Sequence, residues 1–108
     1  MFKEVDSIRA NCTSFHGDTV IASINELIEV LGEPAAIGSP DEKVQIEWVL
    51  ENEKGFVFTV YDWKEYRQFH DNEYIEWNIG THYPIDSNTA KVELTNAIHK
   101  LKKGGDLG

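Results

Sequence analysis

Cysteine is nearly absent: Cys12 is the only one in 108 residues. One thiol cannot close an intramolecular disulfide or build a cysteine zinc cage, so the sequence reads as that of a protein of a reducing compartment. Cys12 itself is expected to be a small buried or half-buried residue. No apolar run reaches the ~18 residues of a membrane span. The N-terminal Met1-Phe2-Lys3-Glu4-Val5-Asp6 is charged and has no signal-peptide core, so the expectation is a protein of the cytoplasm of the cell that makes it, with no membrane contact. Positive charge is scarce: 10 basic against 19 acidic residues leave a net charge of −9. Such a balance repels phosphates at long range and argues against direct binding of duplex DNA. There is no glycine-rich phosphate loop, no nucleophile elbow and no cysteine nucleophile motif. His16, His70, His82 and His99 are scattered, without the i, i+4 spacing of a helical metal pair. A Ser14–His16 or Ser14–His82 dyad rests on residue type alone. The expectation is a protein that is not an enzyme and needs no cofactor or metal.

What is present is apolar and aromatic: 41% hydrophobic residues, with three Trp, four Tyr and five Phe. The length fits a single domain over residues 1–108, its ordered core at about 13–103, with one modest core. So many large aromatics exceed what that core needs, which predicts a homo-oligomer, a dimer or a tetramer, with some of them at an interface.

The pattern predicts an α+β fold: a small antiparallel sheet of three to four strands with two amphipathic helices packed on one face. Thr13 to Ala22 reads as extended, broken at Gly17-Asp18. Ser23 and Glu26 have capping-box spacing. Ile24, Leu27, Ile28 and Leu31 form one helical stripe, which Gly32 and Glu33-Pro34 end. Val44, Ile46, Trp48 and Leu50 alternate with polar residues, Asn52-Glu53-Lys54-Gly55 turns, and Phe56 to about Trp63 returns as a strand buried on both faces. Tyr74 to Thr81 is a further strand. Asp86 or Ser87 is expected to cap a last helix with Ala90, Leu94, Ala97, Ile98 and Leu101 as its stripe. Lys100, Lys102 and Lys103 lie towards its end, where the dipole favours cations, and Gly104-Gly105 is expected to stop it.

Tyr61-Asp62-Trp63-Lys64 is the most informative segment. Two aromatics, a carboxylate and an ammonium at a strand end can stack a nucleobase, accept from its amino edge and neutralise a phosphate. A core-edge aromatic pair beside a surface ion pair explains the same residues. Thr13-Ser14-Phe15-His16-Gly17 and Trp77-Asn78-Ile79-Gly80-Thr81-His82 are two further loop-edge candidates.

Taken in order, Thr13-Ser14-Phe15-His16-Gly17, Gly32-Glu33-Pro34, Glu47-Trp48, Thr59-Val60-Tyr61-Asp62-Trp63-Lys64 and Trp77-Asn78-Ile79-Gly80-Thr81-His82 resemble a widespread family of small phage proteins, over about residues 13 to 98. The chain departs from that pattern at Thr81, where a second glycine is usual, and in the acidic loop after Lys64. The family is similar to phage anti-CBASS sponges. The resemblance implies an anti-defence protein that binds a cyclic dinucleotide, such as cyclic GMP-AMP, in a pocket between subunits without cleaving it. Ser14, Phe15, His16, Tyr61, Asp62, Trp63, Lys64 and His82 are then the ligand-binding candidates. The alternative is an acidic inhibitor or DNA mimic that docks on a basic enzyme groove through Asp41, Glu42, Glu47, Glu51, Glu53, Glu65, Asp71 and Glu73. Those carboxylates also suit an ordinary solvated face.

Overall fold

A computed structural model describes residues 2–39 and 41–107, without the side chains of Ser7 and of 103–107. Six strands and two α-helices follow in the order β1 (Lys3–Glu4), a 3₁₀ turn (Ser7–Ala10), β2 (Ser14–Ala22), α1 (Ile24–Leu31), β3 (Ala36–Ile37), β4 (Ile46–Glu51), β5 (Val57–Tyr61), β6 (Ile75–Thr81) and α2 (Pro84–Leu107). The sheet is antiparallel, ordered β1-β4-β5-β6-β2, with β3 also on β4. The α+β class is as the pattern requires, but the strand number is higher than three to four. The additional strands, β1 and β3, are two residues long and exist only because both pair with β4. Two residues carry no periodicity for a sequence reading to find.

Alternation along the four long strands separates two faces. Trp48 and Leu50, Phe58 and Val60, Ile75, Trp77 and Ile79, and Val20 and Ala22 face a core completed by Ile24, Leu27 and Leu31 of α1 and Ala90, Leu94 and Ile98 of α2. Both helices therefore cover one face. The repeated Ile-Glu-Trp tripeptides place their indoles edge to face at 5.4 Å between ring centres. Each indole N–H reaches one end of α1: Trp77 donates to the Ala22 carbonyl at 2.9 Å, Trp48 to the Gly32 carbonyl at 2.8 Å. Two fully buried N–H groups are thereby satisfied, and α1 is fixed to the sheet at both termini.

α1 begins as its capping box dictates. The Ser23 hydroxyl accepts from the Glu26 N–H, and the Glu26 carboxylate accepts from the Ser23 N–H. Ser23→Ala is expected to lower the unfolding free energy by about 1 kcal/mol, read from a denaturation midpoint; an unmoved midpoint would mean that the box does not hold the helix start. α2 corrects two expectations. It starts at Pro84, before Asp86 and Ser87, because proline's fixed φ suits the first helical position. It also continues through Gly104-Gly105 to Leu107, since glycine costs a helix only about 1 kcal/mol relative to alanine and, unlike proline, does not clash. Any role of the Lys103 side chain lies outside the described residues. Among the described residues no helix is long and apolar enough to cross a membrane. Cys12 is exposed rather than buried, with φ of 71°, in the turn that leads into β2.

Candidate functional site

The helix-free face of the sheet carries the residues with chemistry. The 3₁₀ turn packs over β5 and β4, so Val49, Val57 and Thr59 are buried there although they point away from the helices. Beyond that cover the face is open. Phe15 stands opposite Gly80, and Gly80 opposite Thr59. A methyl at Gly80 would meet the Thr59 hydroxyl at 2.5 Å and the Tyr61 ring at 3.6 Å. The bare backbone at Gly80 is thus what leaves room for the Thr59 hydroxyl beneath it. Between Phe15 and Thr19 the β2–β6 register shifts, with Gly17 at φ of 100°. This irregularity is the break expected at Gly17-Asp18, absorbed within one strand.

Tyr61 and Trp63 meet edge to face, 6.4 Å between ring centres at 83°, and form a corner of two nearly perpendicular rings. Trp63 is 48% exposed. The Lys64 ammonium lies 5.4 Å from the Trp63 ring centre. Lys64 holds φ of 55° and Tyr66 53°, a left-handed conformation that costs a non-glycine residue roughly 1–2 kcal/mol. The turn that brings Lys64 back over Trp63 is further held by the Lys64 N–H donating to the Lys43 carbonyl at 2.7 Å.

Phe15, Tyr61, Trp63 and Lys64 thus share one side of the sheet. Asp62 does not join them. It is fully buried, and its Oδ1 accepts from the Gln45 and Ile46 N–H groups at 2.8 Å each, closing the start of β4 where the strand ladder runs out. There it anchors the backbone and is closed off from the open face that carries the rings. Ser14, His16 and His82 form a separate group at the end of β2 and β6. His16 Nε2 donates to the Thr81 carbonyl at 3.0 Å and lies 3.5 Å from the Ser14 hydroxyl. A nitrogen that donates to a carbonyl carries its proton and cannot take one from Ser14. His82 Nε2 donates to the Asn11 carbonyl at 2.9 Å and makes no hydrogen bond with Ser14. Among the described residues no group of three or more His, Cys, Asp or Glu is placed to hold a metal ion.

Residues that sequence reading did not single out as ligand contacts complete the open face. Glu47 pairs with Tyr61 across β4 and β5, and Tyr61 with Asn78 across β5 and β6. Burial raises the Glu47 carboxyl above its ordinary value. Burial also raises the Tyr61 phenol; the Asn78 side chain opposes that shift and the Glu47 carboxylate adds to it. The signal for Glu47 and Asn78 was their alternation with Trp48 and Trp77, which places them opposite the core.

Because its folded-state value is raised, the stability Glu47 contributes is fully present below about pH 4.5, the ordinary value of its carboxyl, and is lost as pH rises through the folded-state value. Glu47→Gln is therefore expected to melt higher than wild type at pH 7. The advantage should shrink as pH falls towards 4.5, in paired thermal melts; a lower melting temperature at pH 7 would show that ionised Glu47 is well accommodated.

The acidic residues of the alternative reading are dispersed. Glu51 pairs with Arg9 at 2.7 Å, Glu73 forms a two-pronged pair with Arg67, and both carboxyls are held below the ordinary value chiefly by those arginines. Asp71 lines a cleft of about 480 Å³ beside α1, with Ile24, Ile28, Ile37, Ile46 and Phe69. None of the eight ligand-binding candidates lines that cleft or the second one, of about 280 Å³, beside α2. No protein-family model matches the chain, and no curated protein matches it significantly.

Proposed function

We propose that the chain is a phage-encoded anti-defence sponge that binds a cyclic dinucleotide of the cyclic GMP-AMP kind on its helix-free face and sequesters it intact. The observation that carries this reading is the corner of Tyr61 and Trp63 with the Lys64 ammonium at its rim. Rings supply stacking surface for bases, worth about 1–3 kcal/mol per base, and Lys64 supplies local positive charge for a phosphate on a chain of net charge −9. Phe15, half-exposed on the same face, is a second stacking surface.

An open sheet face buries only one side of such a ligand, and a second copy of the chain closes the other. Ile21, which alternates with core Val20 and Ala22 and is 66% exposed on the same helix-free face, gives that second copy an apolar seat. Calorimetric titration with cyclic GMP-AMP, cyclic di-GMP, cyclic di-AMP and a cyclic trinucleotide tests the reading, with light scattering for assembly state. The expected result is saturable binding of at least one of the three cyclic dinucleotides by an oligomer, with the ligand recovered unchanged after denaturation. Binding of none would end this reading in favour of the acidic protein-binding inhibitor.

A further inference from the structure

One row of side chains crosses the helix-free face through five strands: Ala36, Glu47, Tyr61, Asn78 and Thr19 stand opposite one another in turn. Glu47 is the anomaly in that row. It is half-buried, its carboxyl is raised by burial, and its side chain makes no hydrogen bond or ion pair among the described residues. Carboxylates that lose water are ordinarily paired. Arg9 and Arg67 pair with Glu51 and Glu73 on this same chain, yet among the described residues no cation pairs with Glu47.

Its surroundings say what would. Adjacent strands are about 4.8 Å apart, so a planar group stacked on the Tyr61 ring extends its edge over Glu47. Ala36, on the far side of Glu47, is small and exposed and leaves that edge room. Resting on the sheet-face reading above, we infer that Glu47 reads the edge of the base stacked on Tyr61, and that this base is guanine.

The choice among bases follows from their hydrogen-bonding edges. A carboxylate presents two acceptors side by side and no donor. Guanine has two adjacent donors, N1–H and the N2 amino group, spaced to meet both oxygens. Adenine and cytosine each place a ring-nitrogen lone pair beside their amino group, which faces one carboxylate oxygen with repulsion. Uracil has a single N–H between two carbonyls. A two-pronged pair of this kind discriminates against the wrong base by about five- to a hundredfold.

The test uses cyclic di-GMP and cyclic di-AMP as the titrants, against wild type and Glu47→Gln. Wild type is expected to bind cyclic di-GMP at least about fivefold more tightly than cyclic di-AMP. Glutamine presents one acceptor and one donor, the complement of adenine's edge rather than guanine's. Glu47→Gln is therefore expected to lose the guanine preference or reverse it, while melting no lower than wild type. Equal binding of both ligands by wild type would overturn the inference and leave the sheet-face site standing, as would a preference for cyclic di-AMP. A guanine preference that survives Glu47→Gln would also overturn it, and would place the selecting group elsewhere. If wild type binds neither of these two nor cyclic GMP-AMP, the sheet-face reading falls and the inference falls with it.

Discussion

Asp62→Ala is expected to destabilise the fold by about 3 kcal/mol, the largest single-residue effect on stability argued for this chain. The carboxyl oxygen Oδ1 accepts two backbone N–H groups, from Gln45 and Ile46, at 2.8 Å each, and the whole side chain is shielded from solvent. Deleting it removes two hydrogen bonds and leaves two donors facing an apolar surface, each of which costs roughly 1–3 kcal/mol when unpaired. The strand pairing that Asp62 extends is also the pairing that holds Glu47 opposite Tyr61, so the start of β4 should fray. Asp62→Asn retains an acceptor of the same shape and should cost clearly less than the alanine variant. Chemical denaturation of the three proteins gives the comparison: the prediction fails if Asp62→Ala unfolds at the wild-type midpoint. Ligand binding by a folded Asp62→Asn protein should match wild type, because Asp62 lies inside while the stacking rings lie outside. A specific loss of binding at unchanged stability would return Asp62 to the site from which its burial removes it.

Asp62 marks the limit of what the sequence could say. Alternation correctly separates it from Tyr61 and Trp63, but its partners are backbone N–H groups 16 and 17 residues away, and backbone groups have no signature in a sequence. The same limit applies to His16 and His82. Their contacts are carbonyls of Thr81 and Asn11, so residue type alone could suggest a dyad where the fold uses each ring as a hydrogen-bond donor to the main chain. What was legible is what repeats locally. The stripe of α1 and its capping box, the β4–β5 hairpin around Asn52–Gly55 and the alternation of β6 each declare themselves within a dozen residues. Pro84 declared the start of α2 as well, and the capping preferences of Asp86 and Ser87 masked it. β1 and β3 are set wholly by the edge of β4. The open face was half legible: Tyr61, Trp63 and Lys64 are consecutive enough to be noticed together, whereas Glu47 and Asn78 join Tyr61 only through cross-strand register.

Lys64→Glu is expected to weaken cyclic dinucleotide binding at least tenfold while changing stability by less than about 1 kcal/mol. The two halves of that statement have separate physical grounds. On the ligand side, Lys64 is the cation at the Tyr61–Trp63 corner, and a charge-assisted hydrogen bond to a phosphate contributes about 1.5–3 kcal/mol, which is ten- to a hundredfold in affinity. The reversal adds repulsion from a new carboxylate on a chain whose net charge is already −9. On the protein side, the ammonium is exposed, and its contact with the Trp63 ring contributes only about 0.5–1 kcal/mol. The turn itself is held by the Lys64 backbone N–H on the Lys43 carbonyl, which any side chain preserves. Lys64→Gly separates charge from conformation: it removes the ammonium without adding repulsion, so its affinity should fall between those of wild type and Lys64→Glu. Calorimetric titration of the three proteins with whichever cyclic dinucleotide wild type binds, alongside their melting curves, measures both halves. Equal affinity across the series would move the phosphate contact away from this corner. A Lys64→Glu protein that loses binding only because it no longer folds would mean that the turn, rather than the charge, is what Lys64 supplies.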